Sequence, residues 1–105
     1  MRVENYTQSG VPDVNYFHHA TKKEGWIELK VGSIRMRPAQ VAWHKKNLAV
    51  GRRVFVLTYD AKMYQLWKCL EVEPASKGKL TIINSLVTVF KEVDLGLITA
   101  YLTIG

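Results

Sequence analysis

Cysteine is almost missing from this chain, and that scarcity is informative. Cys69 stands alone among 105 residues, so no disulfide forms within the chain and no cysteine-based zinc site can be assembled. A reducing, cytoplasmic setting is the default expectation for such a sequence. The first ten residues, MRVENYTQSG, lack the apolar centre of a signal peptide. No apolar run reaches membrane-spanning length, because the longest, near the C-terminus, is broken by Lys91, Glu92 and Asp94. Basic charge is scarce there too: from Leu80 onward the chain carries only Lys91. Internal repeats and low-complexity tracts are not visible.

What is present is a basic middle. The formal net charge is +6, and nine of the fifteen Lys and Arg residues lie between Lys22 and Arg53. They are Lys22, Lys23, Lys30, Arg35, Arg37, Lys45, Lys46, Arg52 and Arg53. Such clustering suits a nucleic acid or another anionic surface, and says nothing of fold. The length points to one domain over residues 1–105 with a modest core.

Pattern along the chain gives a coarse order of elements. VNYF (14–17) reads as a strand, HHATKKEG (18–25) as a loop, and WIELKV (26–31) as the returning strand of a hairpin. Arg37-Pro38 opens a helix that runs through AQVAWHKKNLAV and stops at Gly51. RVFVLTY (53–59) is the strongest strand signal, Asp60 to Lys62 a turn, and MYQLWKCLEVE (63–73) a further strand. After the PASKGK loop, Ile83, Leu86, Val87, Phe90, Val93 and Leu97 follow helical spacing, interrupted by Gly96. The expected order is β, β, α, β, β, α, a mixed sheet with helices packed on it.

One stretch raises a chemical question. In WIELK, Glu28 and Lys30 stand two apart and share one face of the strand, while Ile27, Leu29 and Val31 take the other. A hairpin loop centred between Ala20 and Lys22 sets Asp13 of GVPDV opposite Lys30, and Asn15 opposite Glu28. Asp13, Glu28 and Lys30 then converge on one patch, since diagonal neighbours lie about 7–8 Å apart. A slip of one residue would send Asp13 to the other face. Two carboxylates and the Leu29 carbonyl form an oxygen donor set suited to Mg²⁺ or Mn²⁺, which bind few protein groups and leave room for water and phosphate. A cation there polarises a phosphate and acidifies water. Lys30 beside it orients that water or stabilises the developing charge. The chemistry is metal-assisted phosphodiester hydrolysis. A solvated surface ion pair is the plainer account of Glu28 and Lys30.

Gly10-Val11-Pro12-Asp13 followed by Glu28-Leu29-Lys30 resembles the PD-(D/E)XK nuclease signature. Arg37-Pro38-Ala39-Gln40-Val41-Ala42-Trp43 is similar to the helix that follows it in the VRR-NUC branch, and Gly51-Arg52-Arg53-Val54-Phe55-Val56-Leu57 to the next strand. The resemblance covers roughly Arg2 to Trp67. It implies a restriction-endonuclease-like α/β fold, a mixed β-sheet flanked by α-helices. It also implies Asp13 and Glu28 as metal ligands, Lys30 as catalytic, and Gln40 on the active-site helix. The role of Gln40 rests on the resemblance alone, and a helix-surface amide is its rival. Small stand-alone members, many from phages, resemble Holliday junction resolvases, which implies branched DNA as substrate, a homodimer, and host cytoplasm. Lys22, Lys23, Arg35, Arg37, Lys45, Lys46, Arg52 and Arg53 are the expected backbone contacts to DNA.

Many members carry a further acidic residue on a helix before the PD motif. Only twelve residues precede Asp13, too few for that helix and the following strand. Glu4, the acidic residue available there, completes the site in its own subunit or a partner's, or is a strand residue. Two rivals accompany the nuclease expectation: a DNA-binding module that kept the fold without efficient chemistry, and an interaction protein whose basic face docks an acidic partner.

Overall fold

The computed structural model describes residues 2–5, 10–75, 78–92 and 95–103, with the side chains of 2–5 and 95–97 outside the description. The described elements are β1 (Arg2–Asn5), β2 (Val14–His18), β3 (Lys23–Val31), α1 (Pro38–Ala49), β4 (Val54–Asp60), β5 (Met63–Pro74), β6 (Leu80–Phe90) and α2 (Leu95–Thr103). The strands form one mixed sheet in chain order, β1-β2-β3-β4-β5-β6. Among the described strands only β3 and β4 run parallel. Parallel neighbours cannot be joined by a tight turn, and α1 makes the crossover between them.

Strand β4 lies inside the sheet, and its sequence says why. Val54, Phe55 and Val56 are all buried, as a strand covered on both faces requires. Val54 and Val56 join Trp26 and Cys69 on the face that packs α1, with Trp43 and Leu48 of the helix against them. Phe55 joins Tyr16, Leu66 and Leu102 on the opposite face, under Ile98 and Tyr101 of α2. Each face of the sheet therefore carries one helix.

Helix α1 begins and ends as the sequence suggests. Pro38 takes the first turn, where its missing N–H leaves no intrahelical bond unmade. Gly51, at φ 80°, supplies the left-handed residue just past the end.

Two expectations need correction. The loop proposed over residues 18–25 is shorter, because β2 runs to His18 and β3 starts at Lys23. Lys22, at φ 56°, lets four residues close the hairpin, and His18 pairs with Lys23. Asn15 consequently faces Trp26 rather than Glu28. The same register carried one residue on sets Asp13 opposite Glu28 rather than Lys30, and the shift of two keeps it on the expected face. Gly25 pins this register. It pairs with Tyr16, and a Cβ at Gly25 would collide with the tyrosine ring and hydroxyl.

The second correction concerns the C-terminal region. Residues 80–90, expected to begin a helix, form β6, and the helix starts only at Leu95. Two irregularities in the β5–β6 pairing, at Leu66/Trp67 and Cys69/Glu71, displace the alternation. Apolar residues in β6 consequently fall at spacings of three and four that imitate a helix. The β-branched content of LTIINSLVTVF carries the opposite signal, and it prevails. The observed order is β, β, β, α, β, β, β, α.

Candidate functional site

The site forms where β2 ends and β3 continues. Val14 pairs with Ile27, after which β3 extends four residues further to Val31. Residues 10–13 fill the beginning of that gap. Gly10 has φ 81° and passes so close to α1 that a Cβ would lie 2.5 Å from the Ala39 carbonyl oxygen. Pro12 is fully buried. With both residues seated, Asp13 is delivered to the open edge of β3, where the Leu29 N–H donates to its Oδ2 at 2.8 Å.

Backbone alternation orients Leu29. The Trp26 N–H bonds Arg53 O and the Gly32 N–H bonds Tyr59 O, so even-numbered residues of β3 turn their backbone toward β4. Odd-numbered Leu29 turns its N–H and carbonyl to the other edge, the one Asp13 occupies.

Glu28 points to the α1 face and is only 4% exposed. Its Oε1 lies 3.9 Å from the Lys30 ammonium, and its Oε2 is buried with no hydrogen-bond partner. Burial, and then the neighbouring Asp13 carboxylate, push its pKa up to about 7, against the pull of Lys30 and Arg37. Lys30 is held from its other side, donating to Gln40 Oε1 at 3.3 Å. That oxygen also accepts the Arg37 N–H at 2.9 Å. Gln40 is 2% exposed, so one buried amide oxygen closes the first turn of α1 and anchors the lysine at once.

Asp13, Glu28, Leu29, Lys30 and Gln40 thus meet in one place, with Arg37 near enough to act on Glu28. The other basic residues are spread more widely. Lys22 and Lys23 lie at the far end of the hairpin, with Lys23 about 23 Å along β3 from Lys30. Lys45 and Lys46 are exposed on the later turns of α1, and Arg35 is exposed ahead of it. Arg52 donates to Asn47 Oδ1 at the end of the helix. Arg53 lies on the opposite face, donating to the Leu102 carbonyl at 2.8 Å and resting over Phe55; it belongs to the packing of α2 rather than to the basic surface. Glu4 sits in β1 with its backbone opposite Asn15, two strands from β3, and its side chain lies outside the described residues.

Two residues near the site were not anticipated. His44 is fully buried, with its Nδ1 2.7 Å from the Gln40 carbonyl and its Nε2 unpartnered. Burial pushes its pKa down, and Lys30 adds to that effect. Cys69 of β5 lies in the buried cluster with Trp26, Val54 and Val56, its thiol pushed up to about 12 by burial and by the charge of Glu28. The signal for His44 was its place four residues after Gln40, hence on the same helix face. Cys69 had no comparable signal.

The donors suit a small, hard divalent cation. Two carboxylates on one patch repel unless a proton or a cation lies between them; no N–H or O–H of another residue reaches Glu28 Oε2, and a proton on Glu28 would be shared with Asp13. Among the described residues, no group of three or more His, Cys, Asp and Glu residues is arranged to hold a metal. Mg²⁺ and Mn²⁺ do not require one, since water and phosphate complete their shells. An apolar groove of about 450 Å³ lies elsewhere, between Pro38, Val41 and Ala42 of α1 and Leu80 of β6, and neither carboxylate lines it. The carboxylates therefore lie apart from that groove, where β2 ends and leaves the edge of β3 beyond Ile27 without a strand partner among the described residues. Among the described residues, no helix is long and apolar enough to cross a membrane. Comparison with family models, curated proteins and solved structures finds no match to this chain.

Proposed function

We propose that this chain is a metal-dependent DNA endonuclease of restriction-endonuclease-like fold that hydrolyses phosphodiester bonds, with branched DNA as its substrate. One observation carries the proposal: the buried Glu28 carboxyl stands against that of Asp13 with no other donor on its Oε2, and Lys30 is anchored next to it by Gln40. A surface ion pair needs neither the burial nor the amide anchor.

Asp13, Glu28 and the Leu29 carbonyl would hold Mg²⁺ or Mn²⁺. When bound, the cation supplies polarisation of the phosphate and a more acidic attacking water. The chain's own groups do the rest. Lys30 extends from Gln40 toward the carboxylates, where its ammonium orients the water and faces negative charge as it builds on phosphorus. Gln40 restricts that ammonium to one side of the site. Arg37 adds positive charge near Glu28. Lys22, Lys23, Arg35, Lys45, Lys46 and Arg52 serve more distant phosphates and set affinity and salt dependence.

The test is cleavage of a labelled four-way junction beside matched duplex and single strand, with Mg²⁺, with Mn²⁺ and with chelator. Metal-dependent paired cuts in the junction are expected. Lys30→Ala should lower cleavage by roughly 10²–10³, the loss typical of one stabilising donor, while junction binding and thermal stability persist. Cutting of all substrates alike would remove the branched-DNA claim. Binding without cutting under every condition would leave a DNA-binding module.

A further inference from the structure

The two edges of the sheet are built differently. β1, at one edge, has four residues, two of them charged, Arg2 and Glu4. Short length and charge are how proteins keep an edge from pairing with foreign strands. β6, at the other edge, has eleven residues, LTIINSLVTVF, with no charged residue and no proline. Charges resume immediately outside it, at Lys79 and Lys91. Among the described residues β6 pairs with β5 alone, so the N–H and C=O groups of its outer side, which alternate on either side of the irregularity between Leu86 and Thr88, lack a strand partner. Leu80, Leu86 and Val89 on this strand are 39%, 46% and 43% exposed.

We infer that the outer edge of β6 pairs antiparallel with β6 of a second copy, joining the two sheets about a two-fold axis. The occupant follows from charge. Two copies of a chain carrying +6 repel one another across most of their surfaces. β6 presents eleven successive neutral positions, so its edge brings no like charges into register along its length. A strand facing its own copy is also matched in length, and isologous pairing satisfies both rows of backbone groups equally. β-Branched residues Thr81, Ile82, Ile83, Val87, Thr88 and Val89 occupy this strand, and such residues form favourable cross-strand pairs. The association also closes. Among the described residues each copy has one long neutral edge and one short edge that carries charge, so the assembly is expected to stop at two. This inference stands apart from the nuclease proposal, needing neither metal nor DNA.

The test is the mass of the full chain by light scattering or sedimentation over a range of concentrations, in DNA-free, metal-free buffer. A dimer is expected that persists at high salt. The double variant Leu86→Lys, Val89→Lys, at two exposed positions, is expected to be a monomer with an unchanged circular dichroism spectrum. Amide hydrogen exchange gives a second readout: the outward-facing β6 amides should become protected as concentration rises through the dimerisation range, while β1 amides do not. A monomer at all concentrations, a dimer that survives the double variant, or an open series of larger assemblies would each overturn the inference. Because no DNA is present, these failures are distinct from a failure to cleave.

Discussion

The two faces of the sheet use buried space in opposite ways. Under α2 the core is Tyr16, Phe55, Leu66 and Leu102. Its polar features include the Leu102 carbonyl, which accepts from the Tyr16 hydroxyl and from Arg53, each at 2.8 Å. Under α1 lie Glu28, Gln40, His44 and Thr58, all buried and all polar, beside Val54, Val56 and Cys69. An apolar face stabilises in proportion to the area it removes from water. A polar face loses part of that gain to desolvation, and an unpartnered carboxylate oxygen lowers it further. The α2 face is organised for folding, whereas the α1 face gives up stability where the proposed chemistry sits, a pattern expected of functional sites.

Three substitutions probe this difference, in descending size. Phe55→Ala removes the centre of the apolar face and should cost about 3–5 kcal/mol, measured by denaturant unfolding. The carboxylate site lies on the other side of β4, so metal response per folded molecule should be unchanged. A lost metal response at concentrations where the variant is folded would show that the faces are coupled.

The next effect comes from Glu28. Its pKa rises from the ordinary 4.5 to about 7, so between those values the folded chain keeps a proton that the unfolded chain has released. Stability contributed by the protonated group is complete below about pH 4.5 and is lost as pH rises through about 7, a change on the order of 3 kcal/mol. His44 acts in the opposite direction, because its depressed pKa removes stability as pH falls. Comparing wild type with Glu28→Gln cancels the histidine contribution. The variant should gain relative stability as pH is raised from 5 to 8, and Mg²⁺ or Mn²⁺ at pH 8 should raise the melting temperature of the wild type alone. Parallel pH profiles for the two proteins would contradict the burial and crowding of Glu28.

The smallest effect belongs to the polar lock under α2. Tyr16→Phe deletes one of two donors to the Leu102 carbonyl and should cost about 1 kcal/mol, with no change in the pH difference between wild type and Glu28→Gln. A loss of several kcal/mol would mean that Arg53 cannot hold the helix end without the hydroxyl.

Much of this arrangement was legible in the residues. Pro38 and Gly51 mark α1, and the apolar run of β4 announces a strand covered on both faces. The separation of Glu28 and Lys30 put them on one face before any register was known, and an even-numbered error in that register left Asp13 beside them. Where local pattern failed, the cause was long-range. The helical spacing after Ile83 arises from irregular pairing with β5, which a scan of β6 alone does not contain. His44 shares a helix face with Gln40, four residues earlier, but that spacing alone does not say that this face turns inward, which only packing against the sheet decides.

By itself, the sequence determined the order of most strands, the span of the first helix and the residue types able to hold a cation, because these depend on local propensity and on the two-residue period of a strand. Only the tertiary structure decided that β2 stops short and opens the edge of β3 for Asp13. It alone turned the polar side of α1 inward, so that Gln40 meets Lys30, and left a neutral eleven-residue strand at the margin of the sheet. Register, burial and edge position depend on contacts between residues far apart in the chain, and those contacts exist only once the sheet has formed.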